Sequence, residues 1–338
     1  MGVPAIDIQT FIASLPLQGG QYFSFFAWFL LLGAMGTAFL AFFSGVVAKA
    51  AHKPLLSHLS RQATTATLFF YVCHFLAFCG LLSFLAISET MHSAAMQGSF
   101  IDNFPEVCLQ ALHRHLPYFT QTVPLAGMVL FSFFIVWMCK RVAPRSGAVL
   151  FLNFFAACIA FALVYWWASR LQQGYGPLTA LLTYQEMASS AFAPLLHENW
   201  WSFASLLGWH WACGLAAGGL LLMLWFFMRR NSDDFGRDYY VRAMYFAAKA
   251  VLVGILLSTV AAHSYFWLQN GMGQITDVIL LTLILAYGAL LLVCATQCLV
   301  LYSATPMRHK ASIVLSILLF FCSLLWQGKL FSISMPIL

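Results

Sequence analysis

The sequence predicts an all-α integral membrane protein with about eight transmembrane helices, in two tandem four-helix bundles over 1–171 and 172–338. Three observations carry this reading. Hydrophobic residues make up 62% of the 338 positions and charged residues only 8%, whereas a soluble globular domain has roughly 25% charged. Apolar stretches such as Val278–Tyr302 and Ala148–Trp167 exceed the roughly 18 residues that mark a spanning helix. The basic residues, finally, fall in every second connection.

Taken in order, the apolar segments are 21–49, 62–88, 117–139, 147–171, 201–229, 239–268, 272–303 and 309–327. Lys49, Lys53 and Arg61 follow the first segment, and Lys140, Arg141 and Arg145 follow the third. Arg229, Arg230, Arg237 and Arg242 follow the fifth, with Arg308 and Lys310 after the seventh. These are twelve of the sixteen Lys and Arg residues, so the positive-inside rule puts these loops in the cytoplasm and both termini outside, a multi-pass protein of the bacterial inner membrane. Seven of the ten acidic residues (Asp7, Glu89, Asp102, Glu106, Glu186, Glu198 and Asp277) lie on the exterior side of this scheme. The net charge of +6 therefore reads as a topology signal with anionic-lipid contact, not as a nucleic-acid surface. The first twenty residues lack the basic n-region and cleavage site of a signal peptide, so a mature, exposed N-terminus is expected.

The two longest connections, Glu89–Leu116 and Gln172–Trp200, both fall on the exterior side. Loops this long are usually functional or folded in their own right, and Pro177–Ser189 suits a short interfacial helix. Tyr22-Phe23-Ser24-Phe25 and Trp200-Trp201-Ser202-Phe203 open the first and fifth helices. A small-residue stretch follows each, Gly33 to Thr37 and Gly214 to Gly219, and Arg61 and Arg242 each stand 28 residues past Gly33 and Gly214. A duplicated four-helix unit explains this spacing, although any two apolar hairpins share some likeness. Of the nine cysteines, Cys108 alone lies clearly outside a hydrophobic stretch. No haem-c or iron–sulfur spacing is present, and the cysteines read as small apolar filler.

An ionisable group inside a span is costly, which makes each one a functional candidate. His74, His210, Lys249 and His263 are these groups. A b-type haem needs two axial ligands at matched depth on facing helices, with small residues nearby. His210 suits this best, because Gly214, Ala217 and Gly218 continue one face of its helix. His74, His263 or Met128 could supply the second ligand. The structural alternative for each histidine is a hydrogen bond to a neighbouring helix. Lys249 could meet a quinone carbonyl, a haem propionate or a proton path, or simply snorkel. His113, His115 and Glu198 precede the third and fifth helices and would suit proton release from a quinol. Trp166, Trp167, Trp200, Trp201, Trp209, Trp211 and Trp267 form an aromatic belt, and the indoles flanking His210 would stack on a flat redox ring.

The stretch from Phe203 to His210, the small residues Gly214 to Gly219 and the turn Arg229-Arg230 with Asp233–Arg237 resemble the haem-b histidine helix of cytochrome bd quinol oxidase subunit I, over roughly Phe203 to Ser258. That resemblance implies haem b ligation by His210. The first helix lacks that family's Arg-x-Gln-Phe histidine context, and no Gly-Arg-Gln-Pro-Trp-like loop is present. The four-plus-four plan also looks like the NrfD or polysulfide-reductase type of quinol-binding anchor, which generally lacks haem, but without its Asp-Leu-Gly-Arg-Pro-like segment. Together these readings lead to an expectation of a respiratory electron-transfer subunit. It would work with menaquinone or ubiquinone and haem b, passing electrons to a cytochrome c or iron–sulfur partner on the exterior face. A secondary transporter and a haem-free membrane anchor are the alternatives.

Overall fold

The computed structural model describes residues 19–96, 126–143, 146–172, 200–231, 235–270 and 277–334. Within these, every long element is a helix: α1 Gly19–Ala50, α2 Pro54–Met96, α3 126–142, α4 Gly147–Gln172, α5 Trp200–Arg229, α6 Gly236–Asn270, α7 Asp277–Tyr302 and α8 Lys310–Ser334. Seven of them, all but α3, are long and apolar enough in their described parts to cross a membrane. In hydrocarbon a helix satisfies its own backbone, which is why apolar segments of this length have no other stable form there.

The two ends of the second helix differ most from the sequence reading. The second helix begins at Pro54, eight residues before 62, because proline is suited to a first helical turn and Leu59 gives this polar extension a fully buried contact. At its other end α2 runs through Glu89 to Met96, so the first part of the expected long connection is helix. Pro177–Ser189 lies outside the described residues.

The α1–α2 turn is a Schellman closure. Lys53 N–H donates to Ala48 O at 3.1 Å, Ala51 N–H donates to Val47 O at 2.9 Å, and His52 between them has φ 51°. Glycine usually takes this left-handed position; here the Lys53 to Ala48 bond that spans it holds a histidine there. Polar side chains seven residues apart on α2 then register it antiparallel to α1. Ser60 Oγ donates to Ala41 O at 2.6 Å, Thr67 Oγ1 donates to Thr37 Oγ1 at 3.0 Å, and His74 Nδ1 meets Ala27 O at 2.8 Å. From the other side, Asn153 Nδ2 of α4 donates to Ala38 O at 3.2 Å.

Helices α1 and α5 form the centre. Of the residues in their most apolar windows 78% are buried, against 22% in α7. They meet through glycines: a Cβ on Gly36 would strike the backbone of Gly214, and one on Gly218 would strike Gly36 and lie 2.5 Å from Thr37 N. The same device joins α5 to α6, where a Cβ on Gly254 would fall 2.8 Å from Ala212 O. Without a hydrophobic drive between helices in lipid, close backbone approach at small residues is what holds them.

All four basic connections occupy one end of the bundle. The α1–α2 and α3–α4 turns border one cavity, the α5–α6 and α7–α8 turns border a second, and His58 of α2 packs on Phe235 at 5.0 Å between them.

Candidate functional site: a histidine and indole layer around α1

The His74 and His210 side chains are fully buried and meet α1 at neighbouring residues. His74 Nδ1 is 2.8 Å from Ala27 O, and the His210 ring stands edge-on to Trp28 with centroids 6.2 Å apart. At 1.5 Å per residue, each lies roughly 30 Å along its helix from the basic end, at matched depth.

The chemistry of each ring follows from its bond. His210 Nδ1 is 2.8 Å from Leu206 O, one turn back on its own helix. A carbonyl oxygen only accepts, so in both histidines Nδ1 carries the proton and, in the neutral ring, Nε2 carries the lone pair. This is the tautomer that a metal-ligating histidine adopts when its other nitrogen is anchored on the backbone. His74 also fulfils the structural role expected as its alternative, since its bond to Ala27 O ties α2 to α1.

Aromatic rings pack around the imidazoles. Trp28 stacks on Trp209 with centroids 6.2 Å apart, and Trp209 stands edge-on to His210 at 4.7 Å. Tyr71 lies 5.3 Å from His74 and its hydroxyl donates to Ala126 O at 3.0 Å, bringing α3 to the layer. Trp209 Nε1 donates to Gln327 Oε1 at 2.6 Å, Gln327 Nε2 to Ser323 Oγ at 3.0 Å, and Ser323 Oγ to Ala286 O at 3.0 Å. That chain fastens α5 to α8 and α7.

Other sequence candidates lie elsewhere. His263 is exposed on α6, its Nδ1 2.9 Å from the Tyr287 hydroxyl. Lys249 is exposed on the outer face of α6, the placement that snorkelling requires, and Met128 is exposed on α3. His113, His115 and Glu198 lie outside the described residues. Among the described residues no group of three or more His, Cys, Asp or Glu is placed to hold a metal ion.

One expectation is corrected. Gly214, Ala217 and Gly218 were read as clearance for a macrocycle beside His210, but the α1 backbone occupies that face at Gly36 and Thr37. A haem on His210 would have to approach from its Nε2 side. Trp28 and Gln327 were missed by sequence reasoning. The register that pairs Gly33 with Gly214 also pairs Trp28 with Trp209, so a signal for Trp28 was present; for Gln327 there was none. The chain matches no family model, no curated protein and no solved structure.

Proposed function

We propose that this chain is the membrane subunit of a respiratory electron-transfer complex and exchanges electrons with a quinone, menaquinone or ubiquinone, at the His74–Trp28–His210 layer. The basic end faces the cytoplasm in this reading, and the layer lies in the outer half of the bilayer. The single observation that supports it most is two fully buried imidazoles at matched depth, each with Nδ1 on a carbonyl and Nε2 as the base. Such a nitrogen accepts the proton that a quinol hydroxyl must lose when it is oxidised, and the stacked indoles suit a flat ring. Electrons would leave to a cytochrome c or iron–sulfur subunit on the exterior face.

Haem b is the further element of this proposal, with His74 and His210 as the residues that would hold it through Nε2; bound there it would supply one-electron transfer. The glycine-filled α1–α5 contact favours a second reading, a haem-free anchor of the NrfD type, because it removes the clearance on that face of α5. It also counts against a secondary transporter, since rocking halves need a contact that separates.

A redox difference spectrum and a quinone titration on the purified protein test these readings together. A haem b band that disappears in His210→Ala supports the haem-bearing form. Quinone binding without that band supports the haem-free form. Neither signal in the wild-type protein overturns the electron-transfer reading.

A further inference from the structure

At the basic end, the α1–α2 turn, the end of α3 and the start of α4 enclose a cavity of about 470 Å³. Lys49, His52, Lys53, Ser57 and Lys140 line it together with Gly45. Lys140 is only 4% exposed, and its Nζ lies 3.6 Å from where a Cβ on Gly45 would stand. Lys49 Nζ lies 3.0 Å from the Cβ position of Gly147, the first residue of α4. Gly147 therefore leaves the room in which the Lys49 ammonium sits, and the Lys140 ammonium lies at ordinary contact distance from the Gly45 position.

Among the described residues no carboxylate lines this cavity. The lining residues run from Gly45 to Ser57 and include Lys140 and Leu150, and in sequence no aspartate or glutamate occurs between positions 8 and 88 or between 107 and 185. No hydrogen bond or ion pair joins Lys140 to any of the described residues. A buried lysine without a counter-charge is costly, and the exposed Lys49 and Lys53 add their positive charge to the same space. The N-termini of α2 at Pro54 and α4 at Gly147 add their positive dipole ends to the same space. The negative end of α1 is closed off by the hydrogen bonds of the His52 turn.

The geometry points to a phosphate-group site in this cavity, filled by the headgroup of an anionic lipid or by free phosphate, which share the chemistry these lysines recognise. Basic pockets between membrane helices bind such headgroups at about 1 kcal/mol per basic residue, or roughly fivefold in affinity. The site is independent of the quinone layer, which lies roughly 30 Å away along α1 and α2.

The test is native mass spectrometry of the full chain, delipidated in neutral detergent and then titrated separately with phosphatidylglycerol, phosphatidylcholine and inorganic phosphate. One phosphatidylglycerol per chain is expected in preference to phosphatidylcholine. Retention should weaken about fivefold in Lys140→Gln and about 25-fold in the doubly substituted Lys49→Gln, Lys53→Gln chain, whose side chains lie nearer the surface and whose folding is not at risk. Competition by millimolar phosphate would assign the site to free phosphate, and its failure to compete would assign it to the lipid headgroup; either result supports the site. Equal retention by wild-type and substituted chains, or no preference over phosphatidylcholine together with no phosphate binding, would overturn it.

Discussion

Helices α1 and α7 are both apolar enough to cross a bilayer, yet α1 is mostly buried and α7 is the least buried of the spans. Hydropathy does not separate them, since α7 is the most hydropathic of the seven spans. What separates them is the side-chain inventory. Helix α1 carries Gly33, Gly36 and Gly45, and its backbone accepts bonds from His74, Ser60 and Asn153. Helix α7 presents Leu280, Ile284, Leu291, Leu292 and Leu299 to its surroundings. In lipid, leucine gains nothing by choosing a helix over an acyl chain, so small and polar residues decide which span becomes the centre.

Five substitutions probe this contrast, in decreasing order of expected effect. Gly36→Leu should prevent α1 and α5 from meeting, because a Cβ at Gly36 already strikes the Gly214 backbone. Overpacking of this kind costs about 1–3 kcal/mol or more, and size-exclusion chromatography should show loss of the monodisperse protein. A well-folded Gly36→Leu chain would break the comparison. His210→Ala should come next: on the proposed quinone reading it lowers quinone affinity about tenfold or more in a fluorescence-quenching titration, the scale of one lost charge-assisted hydrogen bond, with little change in yield. His74→Ala should cost both affinity and stability, since it also removes the bond to Ala27 O.

Gln327→Leu interrupts the chain from Trp209 to Ala286 O and should lower thermal stability in detergent by about 1 kcal/mol, the scale of a hydrogen bond between membrane helices. Leu291→Ala, at a position 71% exposed on α7, should leave the melting temperature unchanged. A large effect there would reveal that this face is covered by a partner and would sharpen the contrast into one between centre and interface.

The two basic cavities differ in a related way. The second, about 650 Å³, is lined by Arg230, Arg237 and Arg308, but Asp233 and Asp234 fall in its α5–α6 connection and Asp238 in the first turn of α6. Its positive charge has acidic neighbours in sequence. The lysine cavity has none, which is why the lysine cavity calls for an external anion.

Much of the candidate layer was legible before any coordinates. His74 and His210 stand out because an imidazole in an apolar run is expensive, and the Trp209–Trp211 pair marks the same helix. Lys140 was legible only as a basic loop residue: its position at the edge of a span says nothing about whether its ammonium turns to water or into a cavity. The small residues after His210 were legible as a stripe but not by what fills it, because a glycine face admits a cofactor and a second backbone equally well.

Composition and the spacing of apolar runs were enough by themselves to determine an all-helical, membrane-spanning chain, because a backbone in hydrocarbon must bond to itself and few charges can enter. Which spans became the centre, which nitrogen of each histidine is anchored, and which basic residue was drawn inside were decided by tertiary structure alone. Those outcomes depend on which faces meet, and helices of nearly uniform apolarity do not announce their partners through pattern.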